Sequence, residues 1–326
     1  MTEPTPRRYV ADFHTHYANP ALPALPPPNP AAALADRWTG LARRIADLDD
    51  LLGDTRRHDL DLRVLSAPPS LVTPPGRRTS PAELRLLNEH LAQATARAPD
   101  RLAGLATVDA FAGESAAEEV TRAVTGLGLP GIVVDCATGD QLLGAPAARP
   151  TLAAAARLGV PVFAHPVSTE PLSLAFADLG RFGTSLARGS VTAAALLSLV
   201  TEGVLAELPG LHVVFPMLGI AGLALAAAAD EGAALTAPPP GADRAHVYVD
   251  TMGFAPTAIR FAADLLGADH VLVGSDWPIG QRAASRRRVE TALRETGLTP
   301  AEADLVAGGN TLRLLGRDAP RGTAGR

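Results

Sequence analysis

Short apolar segments alternate with segments of helical periodicity along most of the chain, and this alternation constrains the fold more than any other feature. Each apolar segment is short enough for a buried strand, and the segment after it spaces its apolar residues as a helix does. The strand-like segments are 10–16, 60–66, 102–108, 131–136, 160–165, 213–215, 247–250 and 271–275. Eight strands that each lead into a helix predict an α/β fold, a closed (β/α)8 TIM barrel.

The length and composition of the chain agree with one such barrel. It has 326 residues, of which 47% are hydrophobic and 19% are charged, as in a well-packed globular protein. We therefore predict a single barrel domain over residues 9–316. An N-terminal extension at 1–8 would precede it, and a disordered tail at 317–326 would follow.

Charge and apolar runs exclude several classes of partner. The net charge is −5 and the basic run is confined to 286–288, which argues against nucleic acid. The longest apolar stretch, 219–229, is too short to cross a bilayer, and 1–8 lacks the apolar core of a secretory signal. A single cysteine, Cys136, permits no intrachain disulfide and is typical of a reducing compartment. We predict a cytoplasmic protein with a small-molecule substrate and no membrane partner, and leave a homodimer open.

The sequence contains no lysine, and all 29 of its basic residues are arginine. This excludes catalysis through a lysine Schiff base, a pyridoxal phosphate anchor and a P-loop lysine. It also excludes a carboxylated lysine that bridges two metal ions.

The first strand ends in two histidines separated by one residue. Side chains alternate along a strand, so His14 and His16 should face the same side, with Cα atoms roughly 6.5–7 Å apart. In a barrel of this class, catalytic groups lie at the carboxyl ends of the strands, where His165 and Asp276 also fall. Three imidazoles and one carboxylate suit one divalent metal ion, with Zn²⁺ favoured and Mn²⁺ or Fe²⁺ compatible.

Six further residues lie at or beside the same strand ends and are candidates for the pocket or for contacts that orient the metal ligands. They are Asp12, Asp135, Cys136, Met217, Asp250 and Trp277. Asp12 either orients a ligand imidazole or is a buried structural carboxylate. Cys136 is either a ligand or nucleophile, or a small residue of the core.

Three motifs resemble the signature of the amidohydrolase-related family. They are DFHTH at 12–16, VFAHP at 163–167 and VLVGSDWP at 271–278. The similarity extends over roughly 9–316, and the best-known branch of the family is the 2-amino-3-carboxymuconate-6-semialdehyde decarboxylase group. The resemblance implies one divalent metal ion held by His14, His16, His165 and Asp276, with a water completing its coordination. Members hydrolyse small carbonyl substrates or lactones, or decarboxylate aromatic and muconate-type acids.

One position departs from the family pattern. Family members usually carry a histidine after strand six as an acid/base or polarising group, and this chain has Met217 there. A thioether has no proton to transfer, and none of the other histidines is placed to replace the missing one.

We interpret the sequence as that of a metal-dependent hydrolase. A metal-bound water would attack a small carbonyl or lactone substrate, with Asp276 as both ligand and proton acceptor, and no histidine at 217 is needed. The first alternative is a non-oxidative decarboxylase of an aromatic or muconate-type acid, in which Asp135, Cys136 or Asp250 replaces the histidine. The second is a non-catalytic or repurposed barrel that keeps its metal.

Overall fold

The computed structural model describes residues 7–21, 37–74, 77–229, 246–280 and 284–318. Each of the eight predicted segments contains a strand, and the third strand is split into two pieces at Leu105. The strands are Ala11–His16, Leu62–Ser66, Leu102–Gly104, Ala106–Thr107, Ile132–Asp135, Pro161–His165, His212–Phe215, Val247–Asp250 and Val271–Leu272. A short antiparallel pair, Ala137–Thr138 and Gln141–Leu142, was not predicted. Residues 1–6 and 319–326 lie outside the described residues, so the extension and tail stay predictions there.

The strands form a closed parallel barrel. Each strand pairs in parallel with the next along the chain, and across the split the Leu105 N–H donates to the carbonyl of Leu65 at 2.8 Å. The first strand closes onto the eighth: the Phe13 N–H donates to the carbonyl of Val273, and the His16 N–H to that of Trp277, both at 2.8 Å. The predicted (β/α)8 barrel is thus confirmed.

Helices follow the strands and cover the outside of the barrel. Their bounds are Trp38–Ile45, Leu48–Arg57, Pro69–Val72, Pro81–Ala96, Glu114–Thr121, Arg149–Leu158, Glu170–Ala175, Arg181–Thr201, Val204–Glu207, Ile220–Ala228, Pro256–Leu266, Arg286–Glu295, Pro300–Asp304 and Asn310–Leu314. Local sequence explains several helix starts. Ser80, for example, forms a capping box with Glu83, and Pro81 fills the first helical position.

Alternation along the strands divides the core into an inner and an outer layer. Phe13, Val133, Phe163, Val214 and Tyr248 fill the barrel interior with other buried apolar side chains. Side chains of opposite parity pack under the helices in a larger cluster. A residue two positions beyond an inward-facing one therefore faces inward as well, so side chains at the carboxyl ends of the strands can point toward the barrel axis.

One helix is apolar enough to raise the question of a membrane span. By length and composition alone, Phe182–Thr201 could cross a bilayer, but 56% of its most apolar 18-residue stretch is buried inside the protein. That burial is what packing against the barrel produces.

Candidate metal centre

A register shift in the first strand lets both of its histidines face the barrel interior. The pairing with the second strand is irregular between Asp12 and Thr15, which is a β-bulge. Phe13 and His14 are consecutive, yet both rings contact the inward-facing Phe163, at centroid distances of 5.6 and 4.7 Å. The bulge interrupts the alternation of side chains, so His14 faces the barrel interior beside Phe13. His16, two residues after His14, then faces the interior as well.

The four predicted metal ligands converge at the carboxyl end of the barrel. One donor atom from each of His14, His16, His165 and Asp276 lies within 4.8 Å of all the others. Asp276 Oδ1 is 3.0 Å from His16 Nε2 and 3.4 Å from His14 Nε2. The structure therefore brings together strand ends one, five and eight as the sequence predicted.

Hydrogen bonds orient two of the imidazoles toward a common centre. His14 Nδ1 lies 2.7 Å from Asp250 Oδ2, and His16 Nδ1 lies 3.2 Å from the carbonyl oxygen of Ser66. Because those oxygens accept a hydrogen bond from the protonated Nδ1, the Nε2 of each neutral ring carries a lone pair.

Buried nitrogen atoms without partners test whether the donors fit a metal ion. Among the described residues, His14 Nε2 and both ring nitrogens of His165 are buried and have no hydrogen-bond partner. Burial, and then the neighbouring His16 and Arg188, hold the pKa of His165 well below its ordinary value, so its ring is neutral. A neutral imidazole with an unsatisfied lone pair is the form that binds a divalent metal. The donor set fits such an ion.

Asp276 adopts a backbone conformation that is rare for its residue type. Its φ is +59°, in the left-handed region that favours glycine. Burial would raise the pKa of its carboxyl group, but its contacts with the His16 and His14 rings lower it overall. A strained residue in a cluster of polar donors is typical of a functional site.

Asp250 lies at the end of the seventh strand and supports the centre from behind. Its Oδ2 binds His14, and its Oδ1 accepts the backbone N–H groups of Met217 at 3.1 Å and Met252 at 2.9 Å. Gly274 makes room for this carboxylate, because a Cβ atom there would lie 2.8 Å from Asp250 Oδ2. Asp250 thus orients a ligand and has neither oxygen free for substrate.

We expect Asp250→Asn to weaken metal binding by about 10- to 100-fold, because an amide nitrogen facing His14 Nδ1 no longer holds the ring in its metal-binding tautomer. Competition with a chromophoric chelator would measure this affinity. The exposed Asp264, paired with Arg260, offers a matched control in Asp264→Asn. Equal affinity of both variants and the wild type would show that Asp250 does not orient the ligand.

Asp12 and Trp277 have structural positions. Asp12 accepts hydrogen bonds from the N–H and hydroxyl of Ser275 and from the guanidinium of Arg63, so it joins the first, second and eighth strands. Of the two roles left open for Asp12, the structural carboxylate is the one that these contacts support. Trp277 is buried beneath the guanidinium groups of Arg63 and Arg44, at 5.2 and 4.9 Å from the ring centroid.

A cavity of about 310 Å³ opens beside the metal ligands and has His165 in its wall. Asp135 also lines it: this residue lies two positions beyond inward-facing Val133 and accepts hydrogen bonds from the N–H and hydroxyl of Ser70 at 2.9 and 2.7 Å. Burial raises the pKa of Asp135 to about 7, and the charge of Asp109 adds to the effect. Asp135 can therefore hold a proton near neutral pH.

Two of the candidate residues lie in the core and outside the walls of this cavity. Cys136 is buried, and burial raises the pKa of its thiol to about 12, so it is an unreactive core residue. Met217 is 8% exposed and packs in the outer apolar cluster, where its backbone N–H reaches Asp250. The structure thus places Met217 beside Asp250 and not in the wall of this cavity.

The sequence reading missed three residues of this region. Arg63 is a fully buried charge in the second strand, and a charged residue inside an otherwise apolar strand was the available signal. Ser70 reaches the cavity from the short helix Pro69–Val72, and Arg188 from the long helix Arg181–Thr201. No local pattern marks either of them, because their role depends on how distant segments pack.

Comparisons with known proteins agree with this geometry. A family model described as amidohydrolase matches residues 11–317. The 2-amino-3-carboxymuconate-6-semialdehyde decarboxylase of Dictyostelium discoideum is 27% identical over 281 residues, which are 83% of this chain and 77% of that protein. The gamma-resorcylate decarboxylase of Rhodococcus jostii is 29% identical over 264 residues, 74% of this chain and 80% of that protein.

Solved structures show the same fold. The 5-carboxyvanillate decarboxylase of Sphingomonas paucimobilis superimposes with a TM-score of 0.74 at 20% identity, over 96% of this chain and 100% of that one. A 2,6-dihydroxybenzoate decarboxylase from Rhizobium gives 0.74 at 23% identity, over 95% and 99%. A dihydroxybenzoic acid decarboxylase from Polaromonas, with a TM-score of 0.73 at 21% identity over 98% and 100%, was solved with bound manganese.

The expectation of carbonyl or lactone hydrolysis is wrong. The characterised relatives named above are decarboxylases, which favours the first alternative. The error has a physical cause: the metal-binding motifs are common to both chemistries, and the choice between them depends on groups that surround the metal. The donor cluster supports a divalent metal ion and does not single out Zn²⁺.

Proposed function

Because this chain belongs to the amidohydrolase family, we propose that it is a metal-dependent, non-oxidative decarboxylase of a small aromatic or muconate-type carboxylic acid. One observation carries the proposal: a carboxyl group that can be protonated near neutral pH, Asp135, lines the same cavity as the metal ligand His165. Decarboxylation needs a proton for the carbon that loses CO2, and a protonated carboxylic acid can supply it.

We propose that His14, His16, His165 and Asp276 hold the ion, with Mn²⁺ and Zn²⁺ both compatible with the donors. When bound, the ion would polarise an oxygen of the substrate as a Lewis acid. Asp276 serves as a ligand. The role that the sequence predicted for it as a base toward an attacking water belonged to the hydrolase interpretation and is not part of this proposal. Asp250 holds the His14 ring in place, and Ser70 holds the Asp135 carboxyl group.

Asp135 would then transfer its proton to the ring carbon that bears the substrate carboxylate. The bond between that carbon and the carboxylate breaks, its electron pair returns to the ring, and CO2 leaves. Solvent at the cavity returns a proton to the Asp135 carboxylate. The net change is a carboxylate and a proton converted to a C–H bond and CO2, with no oxidant required.

Of the three residues considered as replacements for the missing histidine, Asp135 is the one that the geometry supports. Both oxygens of Asp250 are engaged, and the thiol of Cys136 is buried in the core with a raised pKa. Location in the cytoplasm and a small-molecule substrate remain our proposals, and the buried free thiol of Cys136 supports the first.

The direct test is turnover by manganese-loaded protein of 2,6-dihydroxybenzoate, 5-carboxyvanillate and related acids, with simple lactones in parallel. We expect release of CO2 from at least one acid and no ring opening of the lactones, measured by gas detection and chromatography. Lactone hydrolysis without CO2 release would reverse the proposal. Metal bound with no turnover of any acid would favour a non-catalytic barrel.

Met217→Leu should leave the rate within about threefold of the wild type and change the free energy of unfolding by less than about 1.5 kcal/mol, because it conserves volume in an apolar site. Met217→His should lower the free energy of unfolding by about 1–3 kcal/mol, because the buried imidazole would lack hydrogen-bond partners. Turnover and thermal unfolding would test both variants. A large loss of rate in Met217→Leu with the fold intact would show a specific role for the sulfur.

A further inference from the structure

Arg188 lies in the cavity wall, and no acidic side chain in the described part of the chain pairs with it. Of the residues that the structure describes, three arginines line the cavity, and two of them have acidic partners: Arg77 pairs with Glu83 at 2.8 Å and Arg78 with Asp109 at 2.7 Å. Arg188 donates from Nη2 to the carbonyl of Pro166 at 3.0 Å. Across the described ranges, no carboxylate forms an ion pair with Arg188, and its buried Nε has no hydrogen-bond partner.

Arg188 is held in this position by close packing of its helix. The helix Arg181–Thr201 lies against the turn and helix that follow the sixth strand. A Cβ atom at Gly189 would be 3.0 Å from the carbonyl oxygen of Leu218, and one at Gly222 would be 3.0 Å from Ala193 Cα. The two glycines allow the backbones to approach, and the hydrogen bond to the Pro166 carbonyl then places the guanidinium at the cavity wall.

Arg188 lies in the same cavity wall as the proposed proton donor and one of the metal ligands. Asp135 and His165 line this cavity with it, and its charge lowers the pKa of Asp135. Its hydrogen bond to Pro166, the residue after His165, puts it at the same strand end. A guanidinium with free donors in a cavity is suited to a carboxylate, which it can bind through two parallel hydrogen bonds.

We propose that Arg188 binds a second carboxylate of the substrate, one that the reaction does not remove, so that the preferred substrates are dicarboxylic acids. This inference rests on the proposed decarboxylase function. A guanidinium on the departing carboxylate would stabilise the ground state more than the transition state, because that group loses its negative charge as CO2 leaves. On a retained carboxylate the same contact persists through the reaction and positions the ring.

The other acidic groups of the cavity are compatible with a bound anion. Asp109 is already paired with Arg78. Asp135 can carry a proton near neutral pH, and a neighbouring anion would favour its protonated form, which is the form required of a proton donor. Arg188 therefore acts as a specificity residue, and the anion bound to it would offset the effect of its own charge on Asp135.

Binding of unreactive analogues tests this inference without turnover. Calorimetry on manganese-loaded protein would compare isophthalate, a benzene ring with two carboxylates, with benzoate, which has one. We expect the wild type to bind isophthalate at least about tenfold more tightly than benzoate, because the second carboxylate adds a charge-assisted hydrogen-bonded pair. Arg188→Met should reduce this ratio to about two or less, and Arg188→Lys should give an intermediate ratio.

Arg77→Met is the matched control, because it removes the same charge from the same cavity at a residue already neutralised by Glu83. It should keep the wild-type ratio. A wild-type ratio near one, or an unchanged ratio in a folded Arg188→Met or Arg188→Lys protein, overturns the inference. A retained preference with no CO2 release from any acid would support this binding role while overturning the proposed reaction.

Discussion

The His165→Ala variant is expected to lose most of its bound divalent metal ion on dialysis, whereas the wild type keeps about one ion per chain. His165 supplies a buried nitrogen with no hydrogen-bond partner among the described residues, and without it only three of the four converging donors remain. Loss of a residue that only orients a ligand already costs about 10- to 100-fold in affinity, so loss of a ligand should cost more than about 100-fold.

Mass spectrometry of dialysed protein would measure this metal content. His58→Ala is the control, because His58 is 34% exposed and lies 3.6 Å from Asp54, away from the four donors. It should retain the wild-type content. A wild-type protein that holds no metal ion and unfolds at the same temperature with and without added Mn²⁺ would contradict the metal site.

Asp135→Asn should lower kcat by about 10²- to 10⁴-fold, because an amide has no acidic proton to give to the substrate carbon. The amide oxygen can still accept from Ser70, so the fold should persist. The matched control is Asp109→Asn, which changes a carboxyl group in the same cavity that is already paired with Arg78. We expect that control to stay within about tenfold of the wild type. Full activity of Asp135→Asn would show that Asp135 is not the proton donor.

The same carboxyl group predicts a pH dependence. Burial raises the pKa of Asp135 to about 7, and only the protonated form can donate. The rate should therefore be highest below about pH 6 and fall by about tenfold per unit above about pH 8, since each unit removes nine-tenths of the donor. Rate profiles at saturating substrate would measure this fall. A rate that rises across the same range would show that position 135 acts as a base.

The order of elements was predictable because a closed parallel barrel repeats one simple unit. Buried strands show as apolar runs, and the rule that catalytic groups lie at strand ends then selected His14, His16, His165 and Asp276 from distant parts of the sequence. Neither the bulge after Asp12 nor the split at Leu105 has a comparable signal. Both depend on how neighbouring strands pair.

The surroundings of the metal ligands were harder to predict, since they come from packing between distant segments. Asp250 was a candidate for the pocket, and the structure shows it behind His14 with both oxygens occupied. Arg188 lies in the middle of a long apolar helix, where sequence alone suggests a solvated charge. The choice of reaction depended on such residues, and for that reason the motifs alone led to the wrong chemistry.

Closure of the barrel also determines when the metal site can exist during synthesis of the chain. His16 and Asp276, whose side chains meet at 3.0 Å, are 260 residues apart in sequence. A nascent chain that lacks the eighth strand has neither the carboxylate donor nor the backbone partner of the first strand, so it cannot hold the ion as proposed. Metal uptake would therefore follow translation of nearly the whole domain, and the bound ion would then oppose separation of the first and last strands.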